Sequence, residues 1–342
     1  MREDTGARIL VRPRLAVPGA RIDIEWARVP FDGTGLPEVR IGEAEARVVF
    51  AAPYRLGVVV PETVEAGCLT VRIGGSDASG TLRVGRVLAS GVHQVDSPVF
   101  DRAGNLFVTD SGPRGERVPV SIFRVRPNGT REPFVSGIVN PTSMAFDAQG
   151  DLYVSSRFEG AVYRVKPDGT YAMFAGDLGV ACGLAFGPDG ALYVGDRSGT
   201  IFHVNRPGRT RAFAELPSSV AAFHLAFGPD GWLYVTAPTL NSCDHVYRID
   251  AAGTIETFCS GFGRPQGLAF DARGSLHVSE ALAGWSGVFR LTAGQPPEQV
   301  VGGSGLVGLT FDARGGLVVA SNETVWCFDA DEPGGPGSRI LN

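Results

Sequence analysis

Short apolar and polar runs alternate along most of the chain, and one segment pattern recurs within them. Each copy has an apolar run ending in Phe, then Asp or Gly, two variable residues, Gly, a variable residue and Leu. The copies open at Phe100, Phe146, Phe186, Phe227, Phe270 and Phe311, with spacings of 46, 40, 41, 43 and 41 residues. A period of this length indicates repeated units that each pack against the next.

Each repeat contains short runs that favour β-strands. The run after the Gly, such as residues 152–154, forms a hairpin with the preceding apolar run through the Asp/Gly turn. A third run with alternating apolar residues follows, such as 162–165, and most copies then turn through a Gly into a fourth, such as 132–135. Four strands about every 42 residues, six times over, predict an all-β fold with a six-bladed β-propeller.

The last repeat lacks a fourth strand of its own. Residues 86–91, just before the first repeat, resemble the fourth-strand segment 133–137. We therefore predict a propeller domain over residues 83–342, whose ring closes when 86–91 pairs with the last repeat. Residues 338–341 are the alternative closing strand. Closure removes exposed strand edges that would otherwise pair with other chains.

Residues 1–82 do not share the repeat. They contain short β-prone runs separated by Pro and Gly, which predict a small immunoglobulin-like β-sandwich. The order of segments 17–19, 39–42, 58–61 and 67–71 resembles an IPT/TIG domain. That resemblance implies a spacer or docking module, with no catalytic role.

Composition narrows the function classes. The chain has 342 residues, 44% of them hydrophobic and 20% charged, and a formal net charge of -5, which is typical of a globular protein. The acidic balance argues against nucleic-acid partners, because nonspecific binding to phosphates needs a basic surface. No apolar run is long enough to span a membrane, and residues 1–10 are too charged for a signal peptide, so we expect a cytoplasmic protein without a membrane partner.

The cysteines indicate reduced thiols. The five cysteines are odd in number, scattered and without a CxxC pair. This pattern fits neither a disulfide framework nor a structural zinc site.

Candidate chemistry lies where the longer, irregular loops surround the channel of the propeller. The second strands end at Asp110, Ser156, Asp196, Ala237, Glu280 and Ser321, and Arg157 and Arg197 follow directly. The acids either cap loops and pair with arginines, or converge near the channel as metal ligands or acid/base groups. Arg114, in another loop on the same face, is a candidate to receive an anionic substrate.

The starts of the first strands supply a second set of positions. These are Asp96, Thr142, Cys182, Phe223, Gln266 and Val307. His224 follows in the fourth repeat, where neighbouring repeats have glycine, and it is either a structural histidine or a base or metal ligand. Our hypothesis assigns catalysis to Asp96, His224, Glu280 and Arg197, and substrate binding to Arg114, Arg157, Gln266 and Asp110.

Residues 92–330 resemble NHL repeats and the six-bladed gluconolactonase/regucalcin family. The segment 96–100, Asp-Ser-Pro-Val-Phe, is similar to the Glu-Gly-Pro-Val-Trp of that family's first strand. The resemblance implies a divalent metal at the channel mouth, with Asp96 at the position of a carboxylate ligand, and lactone hydrolysis. The sequence departs from the family at 182–184, Cys-Gly-Leu, and at 266–268, Gln-Gly-Leu, where the family has Asn-Gly-Leu or Asp-Gly.

The predicted cofactor is one divalent metal. Calcium or magnesium would follow the family, whereas the set Asp96, Cys182, His224 and Asp196 would suit zinc.

Two function classes remain. The first is a hydrolase or lyase acting on a small lactone or ester, with a metal or acidic cluster at the channel mouth. The second is a noncatalytic propeller that binds a small-molecule ligand or a protein partner. No serine-hydrolase elbow, HExxH helix, P-loop or dinucleotide-binding glycine motif is present, and the fold alone does not choose between the two classes.

Overall fold

The structure of the chain is a computed structural model. It describes residues 9–26, 35–281 and 286–330. Every regular element within these ranges is a β-strand, as the sequence predicts. In the same part of the chain, no helix has the length and apolar character needed to cross a membrane.

The strands follow one another along the whole chain. The N-terminal strands are β1 (Leu10–Arg12), β2 (Leu15–Ala16), β3 (Arg21–Glu25), β4 (Val39–Ile41), β5 (Ala44–Ala52), β6 (Arg55–Val59), β7 (Gly67–Ile73), β8 (Ser79–Val84) and β9 (Arg86–Ser90). The first two repeats contain β10 (Val99–Phe100), β11 (Leu106–Thr109), β12 (Ile122–Val125), β13 (Arg131–Val135), β14 (Pro141–Phe146), β15 (Leu152–Ser156), β16 (Ala161–Val165) and β17 (Tyr171–Ala175).

The remaining strands belong to the last four repeats. The third and fourth repeats contain β18 (Ala181–Phe186), β19 (Leu192–Asp196), β20 (Thr200–Arg206), β21 (Arg209–Glu215), β22 (His224–Phe227), β23 (Leu233–Thr236), β24 (Asp244–Ile249) and β25 (Ile255–Phe262). The fifth and sixth contain β26 (Pro265–Phe270), β27 (Leu276–Glu280), β28 (Gly287–Leu291), β29 (Glu298–Gly302), β30 (Leu306–Phe311), β31 (Leu317–Ser321) and β32 (Thr324–Phe328).

The repeats form a β-propeller. Each of the first four repeats is a separate four-stranded sheet, and β30, β31, β32 and β9 form a fifth. The sequence predicted six blades, and the structure shows five separate ones. The difference arises because β26–β29 of the fifth repeat are the end of a twelve-stranded sheet that also contains β1–β8.

Strand β2 joins the N-terminal strands to the fifth repeat. Leu15 lies opposite Val301 of β29 on one side and opposite Arg83 of β8 on the other, and both pairings are parallel. Most buried residues of β1–β8 surround a core of their own. Leu15 and Val17, however, pack with residues of the last two repeats, such as Leu306. The sheet therefore runs across the domain boundary predicted at residue 82.

Strand β9 stands beside the last repeat. It pairs antiparallel with β32, with Ala89 opposite Val325 and Val87 opposite Trp326. Ala89 also shares a core cluster with Phe100 of the first repeat and Val318 of the last. The alternative closing segment, residues 338–341, lies outside the described residues.

The Asp/Gly turn of the repeat has a clear local cause. The Oδ1 atom of Asp271 accepts hydrogen bonds from the backbone amides of Arg273 at 2.9 Å and Ser275 at 2.8 Å. Gly274 has a φ of 80°, in the left-handed region that glycine adopts without steric cost. In this turn the acid at the start binds the backbone and the glycine at the end supplies the left-handed conformation.

The repeated Phe holds neighbouring repeats together. Five of the six motif Phe residues, those from Phe146 onward, pack edge-to-face against the second-strand aromatic ring of the preceding repeat, with centroids 5.0 to 5.4 Å apart. The pairs are Phe107 with Phe146, Tyr153 with Phe186, Tyr193 with Phe227, Tyr234 with Phe270, and His277 with Phe311. Edge-to-face geometry is favourable for aromatic rings, so the repeat motif is mainly a packing device between blades.

Candidate functional site

A cavity of about 280 Å³ lies where the first strands of several repeats begin. It is formed by the starts of β14, β18, β26 and β30 together with the segments after β15 and β19. Its lining residues are His93, Val95, Thr142, Arg157, Cys182, Arg197, Val220, Ala221, Ala222, Arg264, Gln266, Val307 and Asn322. Because different repeats contribute these residues, the cavity lies at the mouth of the central channel.

The cavity lining is strongly cationic. Arg157, Arg197 and Arg264 line it together with His93. No Asp or Glu is among the described residues that line it. The positive charges therefore face the cavity without a carboxylate beside them.

The strand ends position the three arginines. Arg157 follows β15 and its amide donates to the Asn140 carbonyl at 3.3 Å, while Arg197 follows β19 and its amide donates to the Val180 carbonyl at 3.2 Å. Arg264 directly precedes β26.

The arginine side chains are only partly satisfied. Arg197 donates from Nη2 to the Val220 carbonyl at 3.2 Å. The Nε atoms of Arg157 and Arg264 are buried, and no described residue accepts a hydrogen bond from either. Burial lowers the pKa of Arg157, and the charges of Arg197 and Arg114 act in the same direction. The site is thus short of negative charge and of hydrogen-bond acceptors.

Asp96 and His224 form a hydrogen-bonded pair across the channel. The His224 Nδ1 atom lies 2.5 Å from Asp96 Oδ1, and the two side chains come from the fourth and first repeats. These repeats are not neighbours in the ring, so the contact must cross its centre. The exposed fractions are 1% for His224 and 4% for Asp96, so water is largely excluded from the pair.

The other ring nitrogen of His224 faces the cavity through Gln266. Nε2 lies 3.4 Å from the side-chain oxygen of Gln266, a residue that lines the cavity. A contact of this length is weak compared with an ordinary hydrogen bond. The pair therefore lies directly behind the cavity wall, with one readily exchanged contact between the imidazole and the cavity.

His224 stands where other repeats have a closely packed glycine. Leu225 opposite Val235 and Leu184 opposite Val194 occupy the same place in their repeats, so His224 corresponds to Gly183. A Cβ atom at Gly183 would lie 2.4 Å from the Phe223 carbonyl oxygen. One histidine and several glycines therefore share the narrow centre of the ring.

The environment of Asp96 favours its ionised form. Burial alone would raise the pKa of Asp96, but the charge and hydrogen bond of His224, with further hydrogen bonds from Ser143 and the Ser97 amide, outweigh it and lower the pKa. The amide of Ser97 lies 2.5 Å from Asp96 Oδ1. Asp96 is therefore a carboxylate with several donors around it at neutral pH.

Cys182 lines the cavity as a thiol. Its Sγ donates to the Val180 carbonyl at 3.2 Å, and burial raises its pKa to about 12. Metal ions and electrophiles need the thiolate, which is scarce at neutral pH with such a pKa. Cys182 therefore contributes shape and polarity to the wall.

Two of the predicted acids bind backbone amides. Asp196 accepts a hydrogen bond from the Val180 amide at 2.7 Å and another from the Ser198 hydroxyl. Glu280 accepts hydrogen bonds from the amides of Gly263 at 2.9 Å and Arg264 at 2.8 Å. Neither lines the cavity. Both carboxylates hold the segments that lead into the first strands, and in the fifth repeat that segment carries Arg264.

The predicted metal ligands do not fit a divalent cation. Within the described residues no group of three or more His, Cys, Asp and Glu side chains could hold one. Asp96 and His224 bind each other, Asp196 binds a backbone amide, and the Cys182 thiol donates to the Val180 carbonyl. A cation would also meet the positive charge of the arginines.

The remaining predicted site residues divide into two groups. Gln266, Arg157 and Arg197 line the cavity, whereas Arg114 is exposed and Asp110 is half-buried, and both lie outside the lining. The sequence analysis missed Arg264. Its position directly before a first strand was the available signal, because the same approach segments surround the channel in every repeat.

A comparison of the chain with protein-family models finds no match. A comparison with curated proteins also finds no match.

Solved structures share the propeller fold. A gluconolactonase from Xanthomonas campestris is 18% identical with a TM-score of 0.60, covering 89% of this chain and 98% of that one. A catalytically inactive histidine-to-alanine variant of virginiamycin B lyase from Staphylococcus aureus, solved with quinupristin, is 15% identical with a TM-score of 0.54, covering 90% and 98%. An auxiliary nutrient binding protein from Bacteroides thetaiotaomicron is 13% identical with a TM-score of 0.55, covering 95% and 98%. At these identities the similarity concerns the fold.

Proposed function

We propose that the protein is a hydrolase or lyase that cleaves a small lactone or ester in the channel-mouth cavity. The observation that carries the proposal is the buried Asp96–His224 pair directly behind an arginine-lined cavity. A base and groups that stabilise a developing negative charge are the two requirements for cleaving such a bond.

His224 is the base in this proposal. In this role Asp96 accepts a hydrogen bond from Nδ1–H of a neutral His224. This bond fixes the tautomer in which Nε2 carries the lone pair, and Nε2 points away from the carboxylate. Nε2 then faces Gln266, which donates from its amide nitrogen when the amide is turned. A substrate or a water molecule in the cavity replaces this weak contact and delivers a proton to Nε2.

The arginines stabilise charge on the substrate. In hydrolysis, water loses a proton to His224 and its oxygen attacks the carbonyl carbon, so negative charge develops on the carbonyl oxygen. Arg157, Arg197 and Arg264 line the cavity, and positive charges fixed beside the reacting carbonyl favour an oxyanion. The alcohol oxygen leaves with a proton returned by the imidazole. Because the predicted ligands do not fit a metal ion, no step is assigned to one.

The names of two structural neighbours describe enzymes of the proposed class. One is called a gluconolactonase and one a lyase, and the lyase variant with histidine replaced by alanine is described as catalytically inactive. The lyase variant supports a histidine-dependent reaction as a hypothesis for this chain.

The test is a screen of lactones and esters with the wild-type protein and His224→Gln. We expect the substitution to lower turnover by about 10²-fold to 10⁴-fold, the usual contribution of a general base. The matched control is His245→Gln, because His245 is bonded to Ser260 and does not line the cavity. Thermal unfolding of both variants verifies that they are folded at the assay temperature. Equal turnover by wild type and folded His224→Gln would contradict the proposal.

Ligand binding without catalysis is the second candidate. The observation that favours it is that only 1% of His224 is exposed. A structural neighbour is named as a nutrient binding protein. Absence of turnover across the screen, together with saturable binding in the cavity, would establish this alternative.

We also propose that β26–β29 are the sixth blade, and that β1–β8 form an immunoglobulin-like unit of the IPT/TIG type. The four strands have the same antiparallel order as the separate blades. Their Phe270 packs against Tyr234 of the fourth repeat, and His277 packs against Phe311 of the sixth. A four-stranded unit with such contacts on both sides fills one position in the ring.

A further inference from the structure

We propose that the channel-mouth cavity recognises a small polycarboxylate, so that the substrate carries at least two carboxylate groups. The proposal rests on the proposed function in placing the substrate in this cavity. The site that would bind the carboxylates is the arginine trio, which comprises Arg157, Arg197 and Arg264.

The described lining of the cavity carries an excess of positive charge. Three guanidinium groups line a cavity of about 280 Å³, and no described lining residue is acidic. None of the three forms an ion pair with a described residue, although arginine–carboxylate pairs are common elsewhere in the fold, such as Arg248 with Glu256. Like charges in a confined, partly buried space repel one another, so binding of an anion is favoured by more than one positive charge.

The hydrogen-bond donors also lack acceptors. The buried Nε atoms of Arg157 and Arg264 have no partner among the described residues. A buried donor without an acceptor is costly, and such a group in a native fold requires an explanation. These Nε atoms are themselves shielded from solvent, but both arginines are only half-buried as whole residues. A carboxylate in the cavity would therefore bind the accessible edges of the guanidinium groups, whose planar two-point geometry matches it.

The donor type favours carboxylate over phosphate. Phosphate sites commonly use free backbone amides. Here the amides of Arg157, Arg197 and Val220 donate to carbonyl groups of the protein, and that of Arg264 donates to Glu280. These four amides are therefore not available to a phosphate, and the cavity offers a ligand the guanidinium groups of the arginine trio.

The rest of the wall sets the size and character of the ligand. Val95, Val220, Ala221, Ala222 and Val307 supply apolar surface beside the arginines. Ligand cavities commonly have volumes of about 300–1,000 Å³, so this one suits a small molecule. A ligand with a short carbon skeleton and two or three carboxylates can place its carbon atoms against the apolar residues and its carboxylates against the arginines.

The experiment is isothermal titration calorimetry with probes that contain no cleavable bond. The probes are tricarballylate, succinate, butyrate, succinamide and inorganic phosphate. We expect tricarballylate and succinate to bind, butyrate to bind more weakly and succinamide not to bind. The affinity of the two polycarboxylates falls as salt is added, because screening weakens charge–charge attraction.

Variants identify the residues. Arg157→Gln and Arg264→Gln should each weaken tricarballylate binding by about tenfold or more, the loss expected for one charged hydrogen bond. The matched control Arg209→Gln changes an exposed arginine outside the cavity and should leave the affinity unchanged. Without ligand, the thermal midpoint of Arg157→Gln should equal or exceed that of the wild type, because a repelling charge is removed. A purely structural role would lower it.

The outcomes separate this proposal from the proposed function. Failure of both polycarboxylates to bind, phosphate binding more tightly than either, or unchanged binding in both cavity variants would overturn the polycarboxylate assignment. Loss of turnover in His224→Gln on an uncharged lactone would still support the proposed function. Polycarboxylate binding without any turnover would support the proposed binding site and contradict the proposed hydrolase or lyase activity.

Discussion

At the scale of the residue, the Asp96–His224 pair is the most unusual feature of the protein. Two ionisable side chains, from repeats that are not neighbours, are buried against each other at the centre of the ring. Removing one partner of a buried pair leaves the other without compensation and typically costs about 3–5 kcal/mol. Each partner therefore depends on the other for its burial, whatever the pair's proposed chemistry.

We expect Asp96→Asn to lower the free energy of unfolding by about 3 kcal/mol at neutral pH. The pKa of Asp96 is lowered in the folded protein from its ordinary value of 3.8. As the pH falls, the unfolded chain therefore takes up the proton first, so the stabilisation is complete above pH 3.8 and is lost as the pH falls through the folded pKa. Urea unfolding across this range should show the difference between wild type and variant shrinking with acid. A difference that does not depend on pH would show that Asp96 stabilises the fold by packing alone.

At the scale of the element, the irregular register of β9 against β32 decides which β9 residues face the core. Ala89 faces the core beside Phe100 and Val318, whereas Val87 is 51% exposed on the other face of the same strand. Residues two apart in a regular strand share a face, but the register of β9 against β32 shifts between these positions. Ala89 lies opposite Val325 and Val87 lies opposite the next residue, Trp326, so the two positions offer a matched comparison in one element.

We expect Ala89→Asp to destabilise the protein by about 3 kcal/mol or more and to promote aggregation, because it buries a charge and loosens the strand that covers β32. Val87→Asp should change stability by less than about 1 kcal/mol, because the new charge remains in water. Denaturant unfolding and size-exclusion chromatography of both variants provide the measurement. Equal effects of the two substitutions would show that β9 does not seal the ring through its inner face.

At the scale of the whole molecule, the N-terminal strands and the propeller share a sheet. Strand β2 lies between β8 and β29, and the side chains of Leu15 and Val17 belong to the core of the last two repeats. Separate domains joined by a linker would unfold independently, whereas a shared sheet and core couple them. We therefore expect one cooperative transition for the chain.

Leu15→Ala tests this coupling. Leu15 is 2% exposed, so its truncation should cost about 2–5 kcal/mol and should lower the transition of the propeller as well as that of the N-terminal strands. The control Leu240→Ala removes a side chain that is 92% exposed and should change stability by less than about 0.5 kcal/mol. Calorimetry provides the measurement. Two separate transitions, with only one shifted by Leu15→Ala, would contradict the coupling.

The sequence by itself determined the features that depend on local spacing. The turn from Asp271 to Gly274 and the alternation within each strand follow from residue order, because hydrogen bonds to a near neighbour and the two faces of a strand require no tertiary information. The repeat length likewise predicted the propeller. The number of separate blades could not be predicted from the sequence. The pairing of Leu15 with Val301 joins strands that are far apart in the chain, and it makes the fifth repeat part of a larger sheet.

The tertiary structure alone decided the composition of the candidate site. Asp96, His224 and Gln266 were expected near one another because equivalent places in the repeats converge on the channel, but the hydrogen bonds among them depend on how far each side chain reaches. Arg264 enters the cavity, whereas Asp196 and Glu280 turn to backbone amides. An acid and an arginine at the end of a strand can each face the channel or the protein, and only packing against neighbouring repeats decides which one does.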